Sequence, residues 1–77
     1  MAPAPSVIVE FYGMARRRAG RAELRLDAGT VAEALAGAGL DDEPILVSIN
    51  AGPFLSSWDA PLRPGDRVLV MSPDAGG

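Results

Sequence analysis

The stretch RAELRLDAGTVAEALAGAGL, residues 21–40, decides the fold because its hydrophobic periodicity changes in the middle. In residues 21–27 apolar and charged residues alternate strictly, which is typical of a half-buried β-strand. Thr30 and Glu33 then fit a capping box at the start of a helix. The residues that follow are spaced to give that helix one apolar face, made of Val31, Ala34, Leu35 and Ala38.

Three more segments are rich in β-branched and other apolar residues and are predicted to be strands: SVIVEFY (6–12), ILVSIN (45–50) and RVLVM (67–71). The first strand is expected to pair with residues 21–27 as a hairpin, with GMARRRAG (13–20) as the turn between them. A short FL segment at 54–55 is a candidate fifth strand.

One amphipathic helix can cover one face of one sheet, which predicts a two-layer α+β domain. The last strand is apolar on both faces, and this favours a central position beside the first strand. The predicted fold is therefore a β-grasp, or ubiquitin-like, fold: a mixed sheet of four or five strands with one covering helix. Residues 1–5 are expected to be a disordered lead-in, 6–71 the β-grasp domain, and 72–77 a flexible tail ending in Gly-Gly.

Composition excludes most catalytic chemistry for this chain of 77 residues. It contains no Cys, His or Lys, so thiolate nucleophiles, Ser-His-Asp triads, Schiff bases and the usual zinc sites are ruled out. A conventional enzyme and a metal site are not expected. The formal net charge of −3 disfavours nucleic acid as a partner and favours proteins with basic docking surfaces.

The N-terminal residues MAPAPSV have neither the basic region nor the apolar stretch of a signal peptide. No segment is long and apolar enough to predict a transmembrane span. We therefore expect a cytoplasmic protein without a membrane partner.

Several short motifs carry a resemblance to a known family: EFYGMARRRAG, TVAEAL, VSIN before a turn, PLRPGDRV, and the terminal Gly76-Gly77. In this order they resemble the ubiquitin-like sulfur carriers, namely the small subunit of molybdopterin synthase and the thiamin-biosynthesis sulfur carrier. The resemblance covers residues 7–77. One departure is the tail sequence Ser72-Pro73-Asp74-Ala75, since the molybdopterin carrier usually has two prolines and an apolar residue there.

The resemblance implies that the chain is a protein cosubstrate with no bound cofactor. A ubiquitin-activating-type adenylating enzyme would use ATP to activate the carboxylate of Gly77, and a sulfur donor protein would convert it to a thiocarboxylate. A sulfur-accepting synthase, as in molybdenum cofactor or thiamin biosynthesis, would then receive the sulfur. Gly76 would let the tail enter a narrow site, because glycine has no Cβ to block close approach.

Strand alternation also predicts a docking surface. If Val68 and Val70 pack under the helix, Leu69 and Met71 lie on the opposite face of the sheet. Ile8 and Tyr12 of the first strand are expected to join them, and Pro73 is the partner-binding residue expected in the tail.

Other conspicuous residues favour structural interpretations. Arg16, Arg17 and Arg18 are predicted to form a solvated turn, with binding to an acidic partner or a phosphate as the alternative. Trp58 and Phe54 are predicted to pack a loop against the core.

Three alternative functions stay open at this point. The chain could be the small subunit of molybdopterin synthase, bound to a large catalytic subunit. It could be a protein modifier joined to target lysines through Gly77, or a plain interaction domain in which Gly-Gly is incidental.

Overall fold

The computed structural model describes residues 3–40 and 44–73. Its elements in chain order are β1 (Ser6–Tyr12), α1 (Met14–Ala19), β2 (Glu23–Asp27), α2 (Val31–Gly37), β3 (Leu46–Ile49) and β4 (Arg67–Met71). The strands form one mixed sheet in the order β2-β1-β4-β3. The predicted α+β class and mixed sheet are confirmed. No helix in the described residues is long and apolar enough to cross a membrane.

The first and last strands are neighbours at the centre of the sheet. β1 pairs with β4 in parallel, with Val9 opposite Val68 and Phe11 opposite Val70. On its other side β1 pairs antiparallel with β2, and β4 pairs antiparallel with β3. The central position that was predicted for the doubly apolar last strand is therefore confirmed.

The core lies between α2 and one face of the sheet. Alternate residues of the strands point to this face, and they are buried: Val7, Val9, Phe11, Val47, Val68 and Val70. The helix contributes Val31, Ala34 and Leu35, which are also buried. Burying an aliphatic side chain of this size stabilises the fold by about 1.5–3 kcal/mol before entropy is counted, so aliphatic packing is the main source of stability.

The predicted capping box fixes the start of α2. The Thr30 hydroxyl accepts a hydrogen bond from the Glu33 backbone N–H at 3.2 Å, and the Glu33 carboxylate accepts one from the Thr30 N–H at 3.2 Å. At the other end, the Leu40 N–H donates to the Leu35 carbonyl and the Gly39 N–H donates to the Ala36 carbonyl. This is a Schellman motif, with Gly39 in the left-handed conformation at φ 76°.

The prediction of a turn at residues 13–20 is wrong, because residues 14–19 form the short helix α1. Ala and Arg are good helix formers, and both glycines lie outside the helix, where they begin and end it. Gly20 is left-handed at φ 71°, and its N–H donates to the Arg16 carbonyl at 3.0 Å. α1 joins the core through the buried Ala15, so the described residues form two helices where one was expected.

The candidate fifth strand is reduced to an isolated bridge. Phe54 pairs antiparallel with Ser48, and the Leu55 N–H donates to the Val47 carbonyl at 2.8 Å. At the other edge, the Pro5 carbonyl accepts a hydrogen bond from Ala28, which extends the pairing of β1 with β2 by one residue. The first two residues of the expected lead-in lie outside the described residues.

Candidate functional site

The face of the sheet opposite α2, called here the open face, carries a group of apolar side chains near the end of β4. Cross-strand partners point to the same side of a sheet, so register identifies the members. Tyr12 is opposite Met71, and Met71 is opposite Leu46. One row away, Leu69 is opposite Ser48, which is bridged to Phe54. The open-face patch is defined as Tyr12, Leu46, Phe54, Leu69 and Met71.

The structure places most of the predicted docking residues on this face. Leu69 and Met71 are half-buried, whereas Val68 and Val70 are fully buried under α2, as the alternation predicted. Tyr12 is 44% exposed. Ile8 also points to the open face but is only 9% exposed, since it lies between Arg25 and Arg67 in the register. Long arginine side chains cover apolar neighbours with their aliphatic stems, so Ile8 offers a partner little surface.

Phe54 was predicted to pack a loop against the core, and this is wrong. Its side chain is 57% exposed, because the bridge to Ser48 puts it on the open face. The turn at residues 50–53 is the signal in the sequence that predicts this position of Phe54. An extended segment that follows a short turn pairs back onto the preceding strand, here β3, with a fixed register. Trp58 is half-buried and packs against the core, as predicted.

A charged network borders the patch. The Tyr12 hydroxyl donates a hydrogen bond to one Glu10 carboxylate oxygen at 2.8 Å, and the Arg67 guanidinium donates to the other. The pKa of Glu10 is lowered, first by the hydrogen bond from Tyr12 and then by the hydrogen bond and the positive charge of Arg67. The same contact with the Glu10 carboxylate raises the pKa of Tyr12, since ionised tyrosine would face a negative charge. Glu10 therefore stays ionised at neutral pH and holds the Tyr12 ring in place.

The chain leaves the sheet beside this patch. β4 ends at Met71, the cross-strand partner of Tyr12, and continues into Ser72 and Pro73. Pro73 is exposed, whereas the Ser72 hydroxyl is buried and has no hydrogen-bond partner within residues 3–40 and 44–73. The predicted site residues Gly76 and Gly77 lie outside the described residues.

Within the described ranges no three His, Cys, Asp or Glu side chains are grouped so that they could hold a metal ion. The open face provides an apolar contact area with a charged border. This area lies next to Ser72 and Pro73, which lead to the last residues of the sequence. Such a surface is suited to binding another protein.

Comparison with solved structures shows which fold this is. The chain is similar to the solution structure of the small archaeal modifier protein 1 from Methanosarcina acetivorans, with a TM-score of 0.77 and 24% identity over 100% of both chains. It is also similar to the crystal structure of the Haloferax volcanii protein of the same name, with a TM-score of 0.74 and 23% identity over 94% of this chain and 99% of that one. The fold is the ubiquitin-like β-grasp.

The match to the Methanosarcina acetivorans protein covers the whole of both chains, including the strands that carry the open-face patch. At these identities it establishes the fold alone. No protein-family model and no curated protein matches the chain.

Proposed function

We propose that the chain is a sulfur-carrier protein whose reactive group is the carboxylate of Gly77. The observation that carries the proposal is the position of β4 in a β-grasp fold: the central strand ends beside the open-face patch, and the sequence continues from there to Gly76-Gly77. A partner that binds the patch is thereby placed next to the tail.

The first chemical step is activation of the carboxylate by an ATP-dependent adenylating enzyme of the ubiquitin-activating type. A Gly77 carboxylate oxygen attacks the α-phosphate of ATP, pyrophosphate leaves, and an acyl-adenylate forms. The activation is needed because a carboxylate is a poor electrophile until one of its oxygens becomes part of a good leaving group.

In the second step a donor supplies sulfur at the oxidation level of hydrosulfide. The sulfur attacks the acyl carbon, AMP leaves, and a thiocarboxylate remains on Gly77. A thioacid is ionised at neutral pH, so its sulfur is nucleophilic and can be passed to a sulfur-accepting synthase. The chain has no Cys that could carry the sulfur instead.

The length and composition of the tail fit this role. The six residues from Ser72 to Gly77 reach about 20 Å when extended, at roughly 3.3–3.6 Å per residue, which is enough to enter the active site of another protein. Gly76 permits a backbone approach that any Cβ would obstruct.

The open-face patch is the docking surface for the activating enzyme in this proposal. Among residues 3–40 and 44–73, Tyr12 and Phe54 are the large apolar side chains that are exposed. Aromatic residues are frequent among those that dominate the binding energy at protein interfaces. Leu69 and Met71 fill the surface between them and the end of β4.

A second candidate function is protein modification through Gly77. The observation that favours it is the structural similarity to two proteins named small archaeal modifier protein 1. The chemistry has the same first step, because a target amine can attack the acyl-adenylate in place of sulfur. The two functions therefore differ only in the nucleophile that receives the activated Gly77.

The test of the shared step is ATP–pyrophosphate exchange with each ubiquitin-activating-type enzyme of the source organism. We expect exchange with the wild-type chain and a loss of about 100-fold for Gly76→Val, since small misplacements of reacting groups cost that much. Ala75→Val is the matched control, because it places the same valine side chain one residue further from the carboxylate. This variant should retain most of the exchange activity.

Both variants should melt at the wild-type temperature, since positions 75 and 76 follow β4, the last strand of the sheet, and are not part of the core that residues 3–40 and 44–73 form. Wild-type exchange rates from Gly76→Val would contradict the threading of the tail into a narrow site. A wild-type chain that supports exchange with none of the enzymes would overturn the proposed function.

A further inference from the structure

Positive charge is concentrated at one place in this acidic protein. Four of its seven basic residues lie within residues 16–21, in α1 and the turn that follows it. The rest of the described chain has the opposite balance, with three arginines against six acidic side chains. The domain is therefore electrostatically polarised, with a basic region on an otherwise acidic surface.

Three of these arginines surround an open hollow of about 540 Å³, lined by Gly13, Arg16, Arg17, Gly20, Arg21 and Ala22. All six residues are exposed. We call Arg16, Arg17 and Arg21 the arginine cluster. Within residues 3–40 and 44–73, no carboxylate forms a salt bridge with any of these three arginines. Their charges are therefore available to a ligand.

The backbone holds the cluster in place. Gly13 and Gly20, at the two ends of α1, have φ angles of 60° and 71°. Residues other than glycine rarely adopt these backbone angles. They let the chain enter and leave the helix abruptly, so that Arg16 and Arg17 on the helix and Arg21 after it border one hollow.

The arginine cluster lies at the same end of the sheet as the tail. Tyr12 and Met71 are cross-strand partners at the ends of β1 and β4. The residue after Tyr12 begins the hollow, and the residue after Met71 begins the tail. α1 packs against both strands. A protein that engages the tail and the open-face patch therefore approaches the arginine cluster as well.

We propose that the arginine cluster binds an acidic segment of the protein partner that engages the tail. The identification of that partner rests on the proposed function, whereas the affinity for acidic peptide does not. Electrostatic attraction at this position steers the encounter and orients the tail toward the partner.

The exposure of the arginines favours an acidic protein segment over a phosphate ion, and the small size of the cluster favours it over a nucleic acid. A single exposed ion pair contributes only about 0–1 kcal/mol, so a small phosphate ion would be held weakly, while a segment with several carboxylates makes several contacts at once. A nucleic acid carries charge along its whole length, and it would extend from this small cluster onto the acidic remainder of the surface.

The proposal is tested by titrating the 15N-labelled protein with a ten-residue polyglutamate peptide at low salt. We expect amide shifts concentrated at Gly13, Arg16, Arg17, Gly20 and Ala22. Arg17→Gln/Arg21→Gln should bind about fivefold or more weakly, in line with the loss of two exposed ion pairs. Binding should also weaken strongly at 0.2 M salt, where the Debye length is below about 10 Å.

The matched control is Ala32→Glu/Ala36→Glu, which makes the same change in net charge on the exposed side of α2. It should weaken peptide binding less than the arginine double variant does, because charges on α2 act on the peptide only through the long-range field, whereas Arg17 and Arg21 form ion pairs with it. Equal weakening of both double variants would show a response to net charge alone and would overturn the proposal.

Two further probes separate the ligand classes. Inorganic tripolyphosphate or a single-stranded oligonucleotide that binds this hollow while the peptide does not would overturn the acidic-segment proposal. Peptide binding that depends on Arg17 and Arg21 would support it even if no enzyme activates Gly77, and in that case only the proposed function would fail.

Discussion

Replacing Leu69 by aspartate should weaken docking without unfolding the domain, whereas the same replacement at Val68 should unfold it. The two residues are adjacent on β4 and point to opposite faces. Val68 is fully buried, so Val68→Asp loses about 1.5–3 kcal/mol of apolar burial and adds a buried charge that costs several kcal/mol more. A domain of 77 residues has about 4–12 kcal/mol of stability in total.

Leu69 is half-buried and faces water, so Leu69→Asp should lose about 1 kcal/mol of burial. Glu10 is its cross-strand partner, and a like charge opposite it adds roughly 0.2–1 kcal/mol. The expected decrease in the free energy of unfolding is about 1–2 kcal/mol, which leaves the domain folded. In a complex the aspartate would be desolvated, so binding to the activating enzyme should fall at least about tenfold.

The assay is urea unfolding of both variants, followed by affinity measurements on Leu69→Asp. The midpoint should shift while the slope of the transition stays the same, because the surface exposed on unfolding is unchanged. If Leu69→Asp is unfolded in water and Val68→Asp is folded, the assignment of the strand faces is refuted. If Leu69→Asp is folded and binds the enzyme like wild type, the open-face patch is not the docking surface.

Three more predictions concern the local contacts. Thr30→Ala should lower the free energy of unfolding by about 1 kcal/mol in urea titrations, because it breaks the capping box; an unchanged value would contradict the helix start described here. The pKa of Glu10 is lower in the folded than in the unfolded state, so its stabilising effect is complete above its ordinary pKa of 4.5 and is lost as pH falls through the folded value. Glu10→Gln should therefore make stability less dependent on pH below about pH 5, as measured by denaturation at several pH values, and an unaltered acid dependence would exclude this role. Ser72→Ala should stabilise the domain by up to about 1 kcal/mol, since it removes a buried hydroxyl without a partner in the described residues; a clear loss of stability would show that the hydroxyl is satisfied.

The elements that could be predicted from the sequence are those with strong local signals. The change from alternation to helical spacing at residues 21–38 located β2 and α2, and the capping residues Thr30 and Glu33 fixed the start of the helix. The apolar character of both faces of β4 predicted its central position beside β1, because strands on both sides shield a central strand more than an edge strand.

Three features could not be predicted from the sequence: helix α1, the exposure of Phe54 and the burial of Ile8. The first involves competing local signals, and the other two depend on the register of the strands. At residues 13–20 the flanking glycines predict a turn, whereas the helix propensity of Ala and Arg between them produces α1. The exposure of Phe54 follows from one bridge to Ser48, and the burial of Ile8 follows from its position between Arg25 and Arg67. These placements need the strand register, which single-sequence periodicity does not supply.

The central claim of this account, that Gly77 carries sulfur, is tested most directly by mass spectrometry of the chain isolated from its source cells. The account predicts a fraction in which one oxygen is replaced by sulfur, with fragmentation that places the change on the C-terminal residue Gly77. An alkylating reagent for thioacids should shift this fraction and leave the remainder unmodified. Sulfur found only at another residue, or a chain in which no fraction carries sulfur at Gly77, would contradict the claim.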